Sequence, residues 1–498
     1  MKRTLCILLA ALMLSLAACS EKTSSDGDAA PSSSAGDSAP ASAGGEPETD
    51  EPARLEDDLP ETDLGGWTMR ILSHHDPLSD ESTIYAYELT GETINDLIYN
   101  RDLSLKKRFN CSFELIPGNG WATDQSMLEA SVRAGSRDYD MAFLLPFATS
   151  GALITKGLLY NMLAVPHINF NQPWWHTNVN SLYTIEGYLP FVSSDYLISS
   201  YQYANALIFN KKMAEDRGAA DIYGLVRDGR WTLDAFERVI SEFSLDVNGD
   251  GMFTDEDSYG FASNFGYHAI TWGYAVGELG VRFVDGEAVL GFNDERFYSL
   301  AKWLYGILYG GNLTFEIGWD KDCEINWDTD RVFMQAIWLA DLVKFRDCES
   351  PYGIIPYPKY DEAQDGYYTY MDARSGNMAI PIDADADTVK NAGLLMEAMS
   401  CLNYNDIVPE YLNSIMNYKY ARDPESVEML GYISAGRRWD IGYTFSSVDA
   451  GNIVWILDFH LKSTGGDLAS KVASIEKVNR KTYQRILDGY ADLAGREW

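Results

Sequence analysis

Histidine and cysteine are scarce in this chain, six of each among 498 residues. The histidines do not gather beyond the His74-His75 pair, and no cysteines stand at metal-ligand spacing. Both facts argue against zinc and against a catalytic metal centre. Apart from Cys6 and Cys19, the cysteines are Cys111, Cys323, Cys348 and Cys401. Spacing alone leaves every pairing of these open. A Cys323–Cys348 bridge is the favoured one, and Cys401, within the apolar helical stretch 392–402, reads as a buried thiol. Basic residues are also few: 39 Lys and Arg against 74 Asp and Glu give a net charge of −35. Such acidity speaks against nucleic acid as a partner and against a basic face for anionic lipid. No Gly-x-Ser-x-Gly elbow, His-Glu-x-x-His helix, phosphate-binding glycine loop or dinucleotide fingerprint occurs. Carboxylates are abundant enough to make chance acid pairs, so a glycosidase-type pair stays open, but the chain reads as a non-enzyme. Past the N-terminus no apolar run reaches membrane-spanning length.

What is present begins at the N-terminus. Lys2 and Arg3 precede an apolar run from Leu5 to Leu16, then Leu16-Ala-Ala-Cys19. The run is too short to span a bilayer and reads as an export signal. The Leu-Ala-Ala-Cys ending resembles a bacterial lipobox, which implies that residues 1–18 are removed and Cys19 carries lipid. An ordinary signal peptide is the alternative. Residues 19–60 are rich in Ser, Ala, Gly, Pro, Asp and Glu and contain no aromatic residue. That composition cannot offset its ordering entropy, so it is expected to be a polar tether. Residues 61–498 form the folded body, too long for one compact core.

Within the body, strand and helix patterns alternate. Strands are expected over 67–75, 111–116 and 139–145, and helices from Thr93 to Phe109 and over 125–134. Further strands are expected at 206–210, 352–356 and 378–381. Thr232 is placed to cap a helix reaching Phe243, and Asp285-Gly286 to turn a hairpin within 281–292. Residues 467–490 form an amphipathic helix with Leu468, Val472, Ile475, Tyr483 and Ile486 on one face. The alternation predicts an α/β protein with mostly parallel sheets and two lobes.

One loop has metal-binding chemistry. Asp246, Asn248 and Asp250 place oxygens at positions one, three and five before Gly251, and Met252, Thr254 and Asp257 follow at the later ligand positions. This matches the start of a calcium loop, so a structural Ca2+ is expected. Two departures weaken the match: Asp257 replaces the longer Glu, and the segment after it, Ser258-Tyr-Gly-Phe-Ala, reads as extended rather than helical. An acidic turn held by its own side chains is the alternative.

Several segments taken in order resemble a family. They are the lipobox with its tether, Asp138-Tyr-Asp-Met-Ala-Phe, and Trp231-Thr-Leu-Asp-Ala-Phe running into the Asp246 loop and Tyr259-Gly-Phe. The late segment Tyr352-Gly-Ile-Ile-Pro-Tyr-Pro-Lys-Tyr-Asp-Glu-Ala-Gln364 completes the set. Together they are similar to the sugar-type extracellular solute-binding proteins of ABC importers. The resemblance implies a two-lobe, periplasmic-binding-protein-like fold with crossing connections and a central cleft. It further implies a monomer that takes a carbohydrate and delivers it to an ABC permease, facing the extracellular side or the periplasm. The alternatives are an accessory protein for a membrane sensor and a secreted carbohydrate-active enzyme.

Sugar rings offer apolar faces to aromatic planes and hydroxyls to polar groups. Candidate ligand contacts are therefore Trp121 after the second strand, Trp272 after the His268 stretch, and the Trp174-Trp175 pair. The resemblance implies instead that the tryptophan pair packs where the lobes meet. Polar candidates are Asp195, Asp372 and Arg374. His74 and His75 end the first strand and can reach a cleft or an exposed loop equally well.

Overall fold

The computed structural model describes residues 54–73, 84–118, 123–145, 151–264, 268–278, 280–317, 327–345, 347–372, 375–417, 424–446 and 453–498. Residues 54–498 form a unit of their own. Residues 54–60, expected to end the tether, are instead docked on the body. Arg54 pairs with Asp406, the Leu55 amide donates to Asn405 Oδ1 at 2.9 Å, and Arg108 clamps Asp57 through two bonds of 2.7 Å. Composition alone could not reveal this, because the partners lie far along the chain.

In chain order, strand β1 (Trp67–Ser73) leads to helix α1 (Thr93–Phe109), β2 (Cys111–Pro117), α2 (Thr123–Ala134), β3 (Met141–Leu144) and α3 (Gly151–Thr155). Basic residues Lys106, Lys107 and Arg108 fill the last turn of α1, where they oppose the helix dipole. Asn110, at φ 48°, then ends the helix in the left-handed region. Next come β4 (Asn205–Asn210), α4 (Ile222–Arg227), α5 (Leu233–Phe243) and β5 (Tyr259–Ser263). Thr232 caps α5 as expected, its hydroxyl accepting the Ala235 amide at 3.4 Å. The Tyr-Gly-Phe of β5 needs its glycine, since a Cβ on Gly260 would sit 1.9 Å from the Ile240 carbonyl oxygen of α5.

Helix α6 (Ala269–Ala275) precedes the hairpin β6 (Val281–Val284) and β7 (Glu287–Leu290). Its turn has φ 50° at Asp285 and 78° at Gly286, the two positive values that a type I′ turn requires. Strands β8 (Thr314–Glu316), β9 (Val332–Trp338), β10 (Tyr352–Ile355), β11 (Thr369–Tyr370) and β12 (Asn377–Ala379) follow. The chain ends with α7 (Ala386–Leu402), α8 (Pro424–Ala435), β13 (Arg437–Arg438) and the long α9 (Ala469–Ala494). Leu468, Val472, Tyr483 and Ile486 are all buried, so the amphipathic reading of this last helix holds.

The strands make two main sheets, ordered β12-β3-β1-β2 and β10-β4-β9-β5-β8. They are the centres of two lobes. In the first, β1 runs parallel to β2 and β3, and β12 is antiparallel to β3. In the second, β5, β8 and β9 are mutually parallel while β4 and β10 run against their neighbours. Residues 191–205 carry the chain from the first lobe to the second, and residues 355–377 carry it back. These two passages touch: Val192 bridges Met378, and Ala204 bridges Met371. Helix α7 packs on α1 whereas α8 packs on β10, which makes a further passage between the lobes. Helix α9 lies against both α3 and β7. The fold is α/β with two lobes and crossing connections, as expected.

Cys111 and Cys401 are buried thiols whose pKa values burial pushes up to about 11 and about 12. Cys323, the expected partner of Cys348, lies outside the described residues.

Candidate functional site

Strand polarity locates the site. Ligands of open α/β sheets collect beyond the carboxyl ends of the parallel strands. In the first lobe those ends are Ser73, Pro117 and Leu144, and antiparallel β12 brings Asn377 beside Leu144. In the second lobe they are Ser263, Glu316 and Trp338, and antiparallel β4 brings Asn205 beside Trp338. The passages between the lobes leave from these same ends, so both sets of strand ends adjoin the hinge.

The second lobe places an aromatic wall there. Trp338 is half-buried, ends β9, and has its backbone N–H held by Asp341 Oδ2 at 3.1 Å. The His268 ring stands edge-on to it, 5.4 Å between centroids at 87°. Asn205 is fixed beside them by the Thr271 hydroxyl at 3.4 Å. From the first lobe comes Asn377, fully buried, with neither its amide nitrogen nor its oxygen satisfied among the described residues. A buried, unsatisfied amide is costly, and with Asn377 fully closed off here a ligand hydroxyl reaches it only if lobe opening uncovers it.

The hinge between these walls is pinned by a polar cluster. His176 meets Ser193 Oγ through Nδ1 and Asp195 Oδ1 through Nε2, both at 2.8 Å. Tyr201 O–H donates to the same Asp195 oxygen at 2.8 Å. Arg437 of β13 stacks over Tyr201, its guanidinium carbon 4.2 Å from the ring centroid, and donates to the Ser200 carbonyl at 3.1 Å. Burial lowers the His176 pKa below its ordinary value, against the pull of Asp195. The connectivity is that of a Ser–His–Asp relay. Ser193, however, is only 3% exposed, too little for a substrate to reach its hydroxyl. The arrangement orders the crossing segment rather than presenting a nucleophile.

The sequence candidates fall into different places. Trp272 is not on a loop: it lies in α6, fully buried, against Phe236 at 4.9 Å, Tyr357 at 5.0 Å and Trp303 at 5.3 Å. A helix starts at Ala269, directly after the turn, and points the ring back into the core. Its burial is worth roughly 2–3 kcal/mol and leaves no face for ligand. Trp174 and Trp175 are likewise buried, their indole N–H groups donating to Glu397 at 3.1 and 2.8 Å. Glu397 belongs to α7 and also accepts the Asn169 amide at 3.0 Å. The pair is thus a structural anchor. Asp195 is 2% exposed and already engaged by His176 and Tyr201, so it holds the hinge instead of reaching outward. Asp372 is half-buried in the return passage, its backbone N–H donating to the Tyr203 carbonyl at 3.1 Å. Trp121, Arg374, His74, His75 and Cys19 lie outside the described residues.

Trp338 escaped the sequence reading, although a signal existed. Val332-Phe-Met-Gln-Ala-Ile-Trp338 is a short apolar run of the length of a buried strand, and a tryptophan at its end is placed to leave the sheet. Asn205 and Asn377 left no such mark, because their pairing depends on register across distant segments.

The Asp246 loop folds around its own amides. Asp246 accepts from Gly249 and Gly251, both at 2.7 Å, Asn248 from Asp250 at 2.9 Å, and Asp250 from Met252 at 2.8 Å. Asp257 is buried with its two oxygens turned to the Val247 and Thr254 amides, which hold its pKa below the ordinary value. Asn248 and Asp250 are exposed and Asp246 is half-buried, oxygen-bearing side chains of the kind a hard cation takes, whereas the fully buried Asp257 does not fit as a closing ligand in this geometry. Among the described residues no three His, Cys, Asp or Glu side chains gather closely enough to hold a metal.

No protein-family model matches the chain, and no curated protein sequence matches it. Solved structures do. The galacto-N-biose/lacto-N-biose I-binding protein of the ABC transporter from Bifidobacterium longum, in complex with lacto-N-biose, superposes with a TM-score of 0.57 at 13% identity. The match covers 86% of this chain and 99% of that one. The chain has the fold of ABC-importer solute-binding proteins. The sugar-binding protein MalE from Xanthomonas citri matches with a TM-score of 0.57 at 11% identity, over 86% of this chain and 100% of that one. An ABC transporter solute-binding protein from Thermotoga lettingae, bound with alpha-D-tagatose, matches with a TM-score of 0.53 at 14% identity, covering 85% and 100%. Among the described residues of the chain, no helix is long and apolar enough to cross a membrane.

Proposed function

We propose that this protein is the solute-capturing component of an ABC importer and takes a carbohydrate between its lobes. The observation that carries the reading is the convergence of both sets of strand ends on the hinge, with the half-buried Trp338 at one set and the unsatisfied Asn377 at the other. Aromatic planes bind the C–H faces of sugars and buried amides bind their hydroxyls, which together favour a saccharide. The matched structures, which bind lacto-N-biose and tagatose, support that class. Nothing in the site needs to change the ligand covalently, so the sugar is released intact to a permease. Closure follows from ligand contacts made to both lobes at once.

Export, and lipid attachment at Cys19, belong to the same proposal and rest on the lipobox-like Leu16-Ala-Ala-Cys19. Deleting the gene should abolish uptake of one labelled oligosaccharide by the host cell, and the wild-type gene should restore it. A Cys19→Ser copy should instead release the protein into the soluble fraction. Unchanged uptake across a broad sugar panel would contradict the importer role, and membrane retention of the Cys19→Ser protein would contradict lipid attachment.

The Asp246 loop adds a structural proposal: it holds Ca2+ through Asp246, Asn248, Asp250, the Met252 carbonyl and Thr254, with Asp257 bracing the loop's amides. Calcium there would fasten the end of α5 to β5. A chelator should lower the melting temperature by several degrees, about 1 kcal/mol or more of linked stability. Asp250→Ala should remove that sensitivity. An identical melt with and without chelator would eliminate the metal.

A further inference from the structure

A cavity of about 430 Å3 opens in the second lobe between the end of α4, the segment 359–368, the end of α8 and β13. None of Trp338, His268, Asn205 and Asn377 lines it, so it is distinct from the strand-end site. Its volume falls in the range of small-molecule sites, about 300–1,000 Å3.

Its lining is unusual for so acidic a chain. Arg227, Lys359 and Arg438 contribute three cations against the single carboxylate of Asp365. Arg227 is neutralised by Glu428 at 2.8 Å, and Asp365 is taken by the Tyr368 hydroxyl. The other two cations have no such neutralisation. Lys359 is 6% exposed, and its ammonium rests on the carbonyls of Glu362 at 3.3 Å and Gln364 at 3.1 Å. Arg438 lies over the Tyr368 ring, 4.4 Å from its centroid. Among the described residues no acidic side chain forms an ion pair with either. Lys359 is thus a buried cation without a counter-charge, which is costly, and a bound anion would offset that cost, with the exposed Arg438 at the rim as its second cation.

The aromatic part of the lining narrows the class. Tyr367 and Tyr432 meet edge-on, 5.8 Å apart at 85°, and Tyr368 adds a third, half-exposed ring. The Lys359 ammonium sits 5.7 Å from the Tyr367 centroid. Ring faces bordered by cations suit a ligand with an apolar ring face and one carboxylate. We propose that this cavity is a second binding site, selective for a carboxylate-bearing sugar such as a uronic acid. It goes beyond the proposed capture of a neutral saccharide at the hinge.

Titration calorimetry of the full-length protein with glucuronate, glucose and inorganic phosphate tests the assignment. Glucuronate should bind saturably, with glucose and phosphate at least about tenfold weaker. Arg438→Gln, at an exposed position where folding is not at stake, should weaken glucuronate about tenfold, and Lys359→Gln should do the same. Trp338→Ala should leave glucuronate binding unchanged while weakening any neutral sugar, which separates this site from the hinge site. The assignment is overturned if glucuronate fails to bind, if phosphate binds equally well, or if Trp338→Ala rather than Arg438→Gln removes the glucuronate signal.

Discussion

Replacing Trp338 with alanine is expected to raise the dissociation constant for the captured sugar about tenfold or more. The folded state should change little, because the ring is half-buried at the end of β9 and not inside the sheet. Its loss removes the aromatic plane at the carboxyl end of β9, which the His268 ring meets edge-on. A thermal-shift titration separates the outcomes. The variant should melt near the wild-type temperature without ligand and show a smaller rise with sugar. If the apo protein unfolds early instead, the ring belongs to the core and the wall must be sought elsewhere.

Glu397→Ala carries the largest expected stability effect. One buried carboxylate accepts from the indoles of Trp174 and Trp175 and from the Asn169 amide. Removing it leaves these donors unsatisfied in the interior, at a cost of about 4 kcal/mol. Burial raises the Glu397 pKa above its ordinary value, against the lowering effect of its three donors. The folded state therefore holds its proton more tightly than the unfolded chain. The associated stability is fully present below the unfolded pKa and is lost as pH rises through the folded value. Glu397→Gln keeps an acceptor and no charge, so it should be milder than alanine at neutral pH and should flatten this part of the pH profile. Urea unfolding of both variants at pH 5 and pH 8 checks the sign. Equal stability of Glu397→Ala and wild type would remove the anchor.

The secondary structure was readable from the sequence where its signals are local. Hydrophobic periodicity marks α1 and α9, Thr232 marks the start of α5, and Asp285-Gly286 marks the hairpin. The boundary at Arg54 was not, because it is made by Asp406, Asn405 and Arg108 from elsewhere in the chain. The site was harder still. Exposed-looking tryptophans in turn-rich sequence proved to be anchors or core, since a tryptophan's large apolar surface is drawn inward unless a strand end holds it out. Asp195 looked available because its partners, His176 and Tyr201, are ordinary residues until the fold converges them. What determines the strand-end site is the antiparallel placement of β4 and β12, a long-range fact with no local motif.

Under the proposed function, the same placement would link binding to motion. Asn205 and Asn377 stand where the two passages enter their sheets, so a ligand held between them lies at the pivot. The Arg437–Tyr201–Asp195–His176 cluster fixes one passage, leaving the other, through Asp372, bound to it by backbone bonds at Tyr203 and Ala204. Lobe movement is expected to turn about these segments and to leave each sheet intact.

Equilibrium dialysis against a mixture of neutral oligosaccharides, with mass spectrometry of what is retained and what is later released, tests the whole reading most directly. At least one sugar should be held saturably by the purified protein and recovered with its mass unchanged. Retention of none, or recovery of cleaved products, would contradict reversible capture between the lobes.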